Sequence, residues 1–125
     1  MNLVPDISLI LSMKRKIISF GTYYHDFLAT LNDKEKKKVK YVLALLATED
    51  RLPTRFIKHI HDGIYELRTA TEGNIYRLFF IFDEDKIVVL FSGFKKKTQK
   101  TPQAEIERAI RIKAEYDKYK RRNDT

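Results

Sequence analysis

The chain contains no cysteine, which excludes a disulfide framework, a zinc knuckle and a thiol nucleophile. That composition fits a reducing compartment and leads to an expected cytoplasmic location. Long hydrophobic runs are also missing. Leu3 to Met13 is mildly apolar, but Pro5 and Asp6 interrupt it, and it is far too short to span a bilayer. No basic region precedes its apolar part, so it makes a poor signal peptide, and no membrane partner is expected. Residues 1–12 are read as an N-terminal extension, either disordered or a misassigned start, with residues 13–125 as a single domain. Internal repeats and low-complexity segments are absent. Acids are missing where the chain is most basic: none lies between Ser92 and Pro102, a stretch that holds Lys95, Lys96, Lys97 and Lys100.

What is present bounds the rest. The chain has 125 residues, 43% of them apolar, enough for one ordinary core and too few for two. A formal net charge of +8 favours an anionic partner, because cations that neutralise phosphates release condensed counterions.

The periodicities can be followed along the chain. Arg15 to Phe20 reads as a short strand. Thr22 is placed to cap a first helix whose apolar positions Tyr24, Phe27, Leu28 and Leu31 keep helical spacing. Asn32 and Glu35 form a capping-box pattern at the start of a second helix, with Val39, Val42, Leu43 and Leu46 on one face, ending before Pro53. Its outer face carries Lys34, Lys36, Lys37, Lys38 and Lys40 and reads as solvated. Leu52 to Asp62 reads as a linker. Three strands follow: Ile64 to Thr69, Ile75 to Phe82 and Ile87 to Phe94, the first two joined through Gly73-Asn74 and the last two through Asp83 to Lys86. Thr101 and Pro102 then open a final helix that reaches about Lys120. The predicted order is strand, helix, helix, three strands, helix: an α+β fold with a small antiparallel sheet packed with helices.

A turn at Thr71 to Asn74 sets Arg68 opposite Arg77, and like charges directly opposed are destabilising unless something neutralises them. The next hairpin sets Ser92 opposite Arg77, with Phe94 further along the same face. Arg68, Arg77 and the lysine run are therefore expected at one end of the sheet, Arg77 as an exposed cation, in a pattern suited to phosphate. The competing interpretation is that Glu66 pairs with the arginines in an ordinary surface network.

The run Tyr65-Glu-Leu-Arg68, then Tyr76-Arg77-Leu78, then Gly93-Phe94-Lys95-Lys96-Lys97-Thr98-Gln99-Lys100-Thr101-Pro102, with Glu105, Ile106 and Ala109, closely resembles the HigB branch of the RelE/ParE toxin superfamily, which includes the phage-derived Gp49-like proteins. The resemblance implies a RelE-like toxin fold and the toxin of a type II toxin-antitoxin system. It implies an endoribonuclease that needs no cofactor or metal and cuts messenger RNA in the ribosomal A site, using the ribose 2′-hydroxyl as nucleophile. It also implies a small helix-turn-helix antitoxin of HigA type as partner. On the same ground Arg77 matches the phosphate-binding arginine, Arg68 a basic position ahead of it, Lys95 and Lys96 a basic pair after the strand glycine, and Lys97 and Lys100 an extension of it. Some relatives carry a tyrosine beyond the basic pair. Here Thr98 to Pro102 has no aromatic, so base stacking would fall to Phe94 or Tyr76. One of the four lysines is a candidate acid or base, His59 and His61 are the other candidates, and both histidines are also expected to contact RNA. A metal site at His59, His61 and Asp62 lacks further ligands.

Three other functions remain open at this point: a ParE-like gyrase-inhibiting toxin, which would need no catalytic cations, a non-catalytic nucleic-acid-binding protein, and an inactive remnant that keeps only antitoxin binding. The second would be expected to show a recognition helix or an RNP-like aromatic pair, and neither pattern occurs.

Overall fold

The computed structural model describes residues 14–84 and 86–123, and the expected extension at 1–12 lies outside them. The elements run β1 (Lys16–Ser19), α1 (Tyr23–Ala29), α2 (Asp33–Thr48), β2 (Ile57–His61), β3 (Ile64–Thr71), β4 (Asn74–Asp83), β5 (Ile87–Lys96) and α3 (Gln103–Asn123). One five-stranded sheet has the order β1-β5-β4-β3-β2. The class is α+β, as the periodicities imply, with helices on both faces of the sheet. Among the described residues no helix is long and apolar enough to cross a membrane.

Two features depart from the expected topology. The sheet is mixed, since β1 runs parallel to β5 while the other pairs are antiparallel. Nearly seventy residues separate β1 from β5, and a connection that long permits parallel pairing. The expected linker also contains a strand, β2. A register shift between His59 and His61 interrupts its alternation, so it lacks a period-two pattern. The Asp62-Gly63 dipeptide did signal it. Both residues have positive φ, 43° and 80°, the combination a tight type I′ hairpin requires.

Each face of the sheet buries its own layer. Phe27, Leu31, Val39, Val42, Leu43 and Leu46 from α1, α2 and the turn between them pack on Leu67, Tyr76, Leu78, Phe80, Val88 and Leu90. On the other side Ala109, Ile112 and Tyr116 of α3 cover Ile64, Phe79, Ile81, Val89, Phe91 and Phe94. Both apolar faces of β4 are therefore covered within the chain, so this central strand is buried along most of its length. The capping box at the start of α2 is formed in both directions: Asn32 Oδ1 accepts from Glu35 N, and Glu35 Oε1 accepts from Asn32 N, each at 2.9 Å.

The two ends of the helical layers depart slightly from expectation. Thr22 makes no side-chain cap and instead donates to Asp26 Oδ2 at 2.9 Å. The final helix starts after Pro102, whose carbonyl accepts from Glu105 N at 3.1 Å and Ile106 N at 3.3 Å. Thr101 is used elsewhere, as described below.

Gly93 fixes how closely α1 approaches the sheet. A Cβ built there would lie 2.5 Å from the Phe27 ring, closer than real contacts come. Gly93→Ala is expected to force the buried ring aside at a cost of about 1–3 kcal/mol. Urea denaturation would read this as a lower midpoint with an unchanged slope.

Candidate functional site

The chemistry gathers where β3, β4 and β5 meet the segment leading to α3. Arg68 and Arg77 are directly opposed, the register expected from the Thr71 to Asn74 turn. Across the other hairpin, Arg77 faces Phe94 and not Ser92. Two local events account for the difference. The turn closes on Asp83 and Ile87, and a bulge between Leu78 and Phe80 sets two β5 residues against Phe79. The net shift of two keeps Phe94 on the arginine face, and alternation leaves Lys95 on the opposite one.

Arg77 is fully buried, which corrects its expected exposure at the sheet end. Its Nη1 donates to Lys100 O at 3.0 Å and its Nη2 to Thr98 O. Its guanidinium carbon lies 5.4 Å from the centroid of the Phe94 ring. Burial pushes the Arg77 pKa down, and the neighbouring Glu66 carboxylate offsets part of that effect. Among the described residues its Nε has no hydrogen-bond partner.

Arg68 does related work one strand away. Its Nε pairs with Glu66 Oε1 and its Nη2 donates to Gln99 O at 2.8 Å. Glu66 Oε2 accepts from the Thr101 hydroxyl at 2.7 Å. Glu66 does balance an arginine, but it is fully buried and so does not form the surface network considered above. The two opposed cations are thus accommodated by one carboxylate and by the carbonyl oxygens of residues 98, 99 and 100. These bonds draw the backbone of the lysine segment down onto the sheet. Lys96, Lys97 and Lys100 are left exposed above it, with no ion pair among the described residues.

The remaining predicted residues lie elsewhere. Lys95 reaches the opposite face and pairs with Glu35 Oε2 at 3.1 Å. Tyr76 is buried on that face and donates to the same oxygen at 2.6 Å. Phe94 is buried between Arg77 and Phe79, 5.7 Å from the latter ring centre to centre. Neither aromatic offers an open face to a base. His59 and His61 are exposed on the edge strand β2, where His59 contacts Tyr65. His61 borders the hairpin at the far end of β3 from Arg68. Among the described residues no cluster of three His, Cys, Asp or Glu is placed to hold a metal ion.

Glu35, Tyr76 and Lys95 form a triad that sequence reasoning missed, apart from the capping box. The Asn32 backbone N–H, the Tyr76 hydroxyl and the Lys95 ammonium hold the Glu35 carboxyl down at about 2. Burial, with Glu35 as hydrogen-bond acceptor, pushes Tyr76 up to about 12. A carboxyl depressed in the folded state stabilises it fully above its ordinary value near 4.5, and that contribution is lost as pH falls towards 2. Glu35→Gln is therefore expected to be less stable than the wild type at neutral pH. The gap between their urea midpoints should close as pH drops from 4.5 to 2. A constant gap across that range would remove Glu35 as the titrating group.

A comparison with curated proteins returns no match. The family model described as phage derived protein Gp49-like matches residues 26–114, from within α1 to well into α3. That span includes both arginines, Glu66, the lysine segment and most of the two apolar layers. The chain therefore belongs to the phage-derived Gp49-like family, a toxin-like member of the RelE/HigB superfamily in general with a small RelE-like α+β fold.

Proposed function

We propose that this chain is the toxin of a type II toxin-antitoxin pair, of HigB type. In this reading it cuts messenger RNA in the ribosomal A site and is silenced by a helix-turn-helix antitoxin of HigA type. The observation that carries the reading is the inward pull of Arg68 and Arg77 on the carbonyls of residues 98 to 100, which leaves the lysines exposed together. A fixed set of cations suits a reaction in which negative charge builds on phosphoryl oxygens.

The ribose 2′-oxygen attacks the adjacent phosphorus as its proton is withdrawn. The new O–P bond forms while the P–O5′ bond breaks and a proton is delivered to the leaving oxygen, giving a 2′,3′-cyclic phosphate and a 5′-hydroxyl. Lys96, Lys97 and Lys100 bind the non-bridging oxygens and are the candidates for moving the two protons. Arg68 and Arg77 act as positioning residues that set the loop. Lys95 is held by Glu35 and anchors the end of β5. Inducing the chain in cells and mapping messenger 5′ ends by primer extension tests the reading, with cuts inside translated codons expected. Growth arrest without such cuts would favour a gyrase-inhibiting toxin.

A further inference from the structure

Next to the lysine segment lies a second cationic feature, and of its cations only Arg68 has a part in the reaction above. A groove of about 330 Å³ runs between α2, the segment entering β2, and the end of β3. Lys38 and Tyr41 of α2, Arg55 and Phe56 ahead of β2, Arg68 of β3 and Gln99 of the loop line it. No carboxylate lines the groove. Lys38 and Arg55 form no ion pair among the described residues. Tyr41 is 59% exposed although α2 has ample apolar surface to bury. Arg55 lies over the Phe56 ring, 4.6 Å from its centroid, which holds the cation at the wall of the groove.

We propose that this groove is a nucleotide subsite for single-stranded RNA, with the Tyr41 ring as the platform for a base and Lys38 and Arg55 as contacts to the flanking phosphates. The proposal rests on the RNA-cleaving reading and extends it. An aromatic ring set between cations matches a strand whose bases are splayed from a charged backbone, whereas a duplex keeps its bases stacked inside. Arg68 and Gln99 belong both to the groove and to the clasped loop, so a nucleotide held here adjoins the phosphate held by the lysines. The groove also supplies the stacking group that the lysine segment lacks and that buried Phe94 and Tyr76 cannot provide.

The test uses the full chain and a single-stranded 2′-fluoro RNA oligonucleotide, which offers no 2′-hydroxyl nucleophile, so binding is read apart from cleavage. Fluorescence anisotropy across a salt series is expected to show Tyr41→Ala weakening binding by about tenfold or more with an unchanged salt slope, and Tyr41→Phe binding like the wild type. Lys38→Ala and Arg55→Ala should each lower the slope of log Kd against log salt by about 0.7. Wild-type affinity in Tyr41→Ala would overturn the subsite. So would tighter binding of a poly-glutamate peptide than of the oligonucleotide, which would assign the groove to an acidic protein segment. The two readings fail separately. Unchanged binding by Tyr41→Ala alongside codon-internal cuts by the wild type sinks only the subsite. Weakened binding by that variant with no cuts by the wild type sinks only the cleavage reading.

Discussion

Arg77→Ala is expected to lose stability and cleavage together. The substitution removes both donors from the carbonyls of Thr98 and Lys100 and leaves a void over Phe94. Hydrogen bonds from a charged donor contribute about 1.5–3 kcal/mol each. We expect roughly 3 kcal/mol overall, or about 10 °C in Tm for a chain of this size. Once the loop is released its lysines no longer share one geometry, and the cutting rate should fall on the order of 100-fold or more. Arg77→Lys keeps the charge but lacks the two-armed donor. It should recover part of the Tm and little of the rate. Calorimetry beside 5′-end mapping reads both quantities, and an Arg77→Ala protein with wild-type Tm would show that the clasp does not hold the loop.

The complementary experiment removes the exposed cations and leaves the clasp alone. Lys96→Ala, Lys97→Ala and Lys100→Ala combined should leave Tm almost unchanged, since exposed substitutions away from packed features shift stability by about 0.5 kcal/mol or less. Cutting should collapse by at least about 1,000-fold, short of the summed single effects because the lysines act on the same charge. Together the two variants separate groups that shape the loop from groups that touch the phosphate. A triple variant that still cuts at the wild-type rate would remove the lysines from the reaction.

How much of this could be read in advance depended on the range of each interaction. The Asn32 and Glu35 capping box spans three residues, and the stripe of Val39, Val42, Leu43 and Leu46 follows helical periodicity, so local pattern found both. The facing of Arg68 and Arg77 was legible because the turn at Glu72-Gly73 fixes the pairing on both sides of it. The same reasoning gave Phe94 the correct face but Arg77 the wrong partner, because a bulge adds a residue without any clear mark in the sequence. Burial of Arg77 was hidden for a different reason. A residue type that is seldom fully buried lies inside because carbonyls from more than twenty residues further along fold down over it. Glu35 reaches Tyr76 and Lys95 over 41 and 60 residues, a distance at which no periodicity carries information. The edge strand β2 was within reach, since Asp62-Gly63 is a strong hairpin signal that outweighs the irregular alternation before it.

The clasp on residues 98 to 100 grips main-chain oxygens, which every amino acid possesses. The loop's path is therefore indifferent to the side chains it displays. Positions 96, 97 and 100 are free to drift in charge and size while the scaffold stays intact, so a lineage can retune what this surface recognises without first rebuilding the protein beneath it.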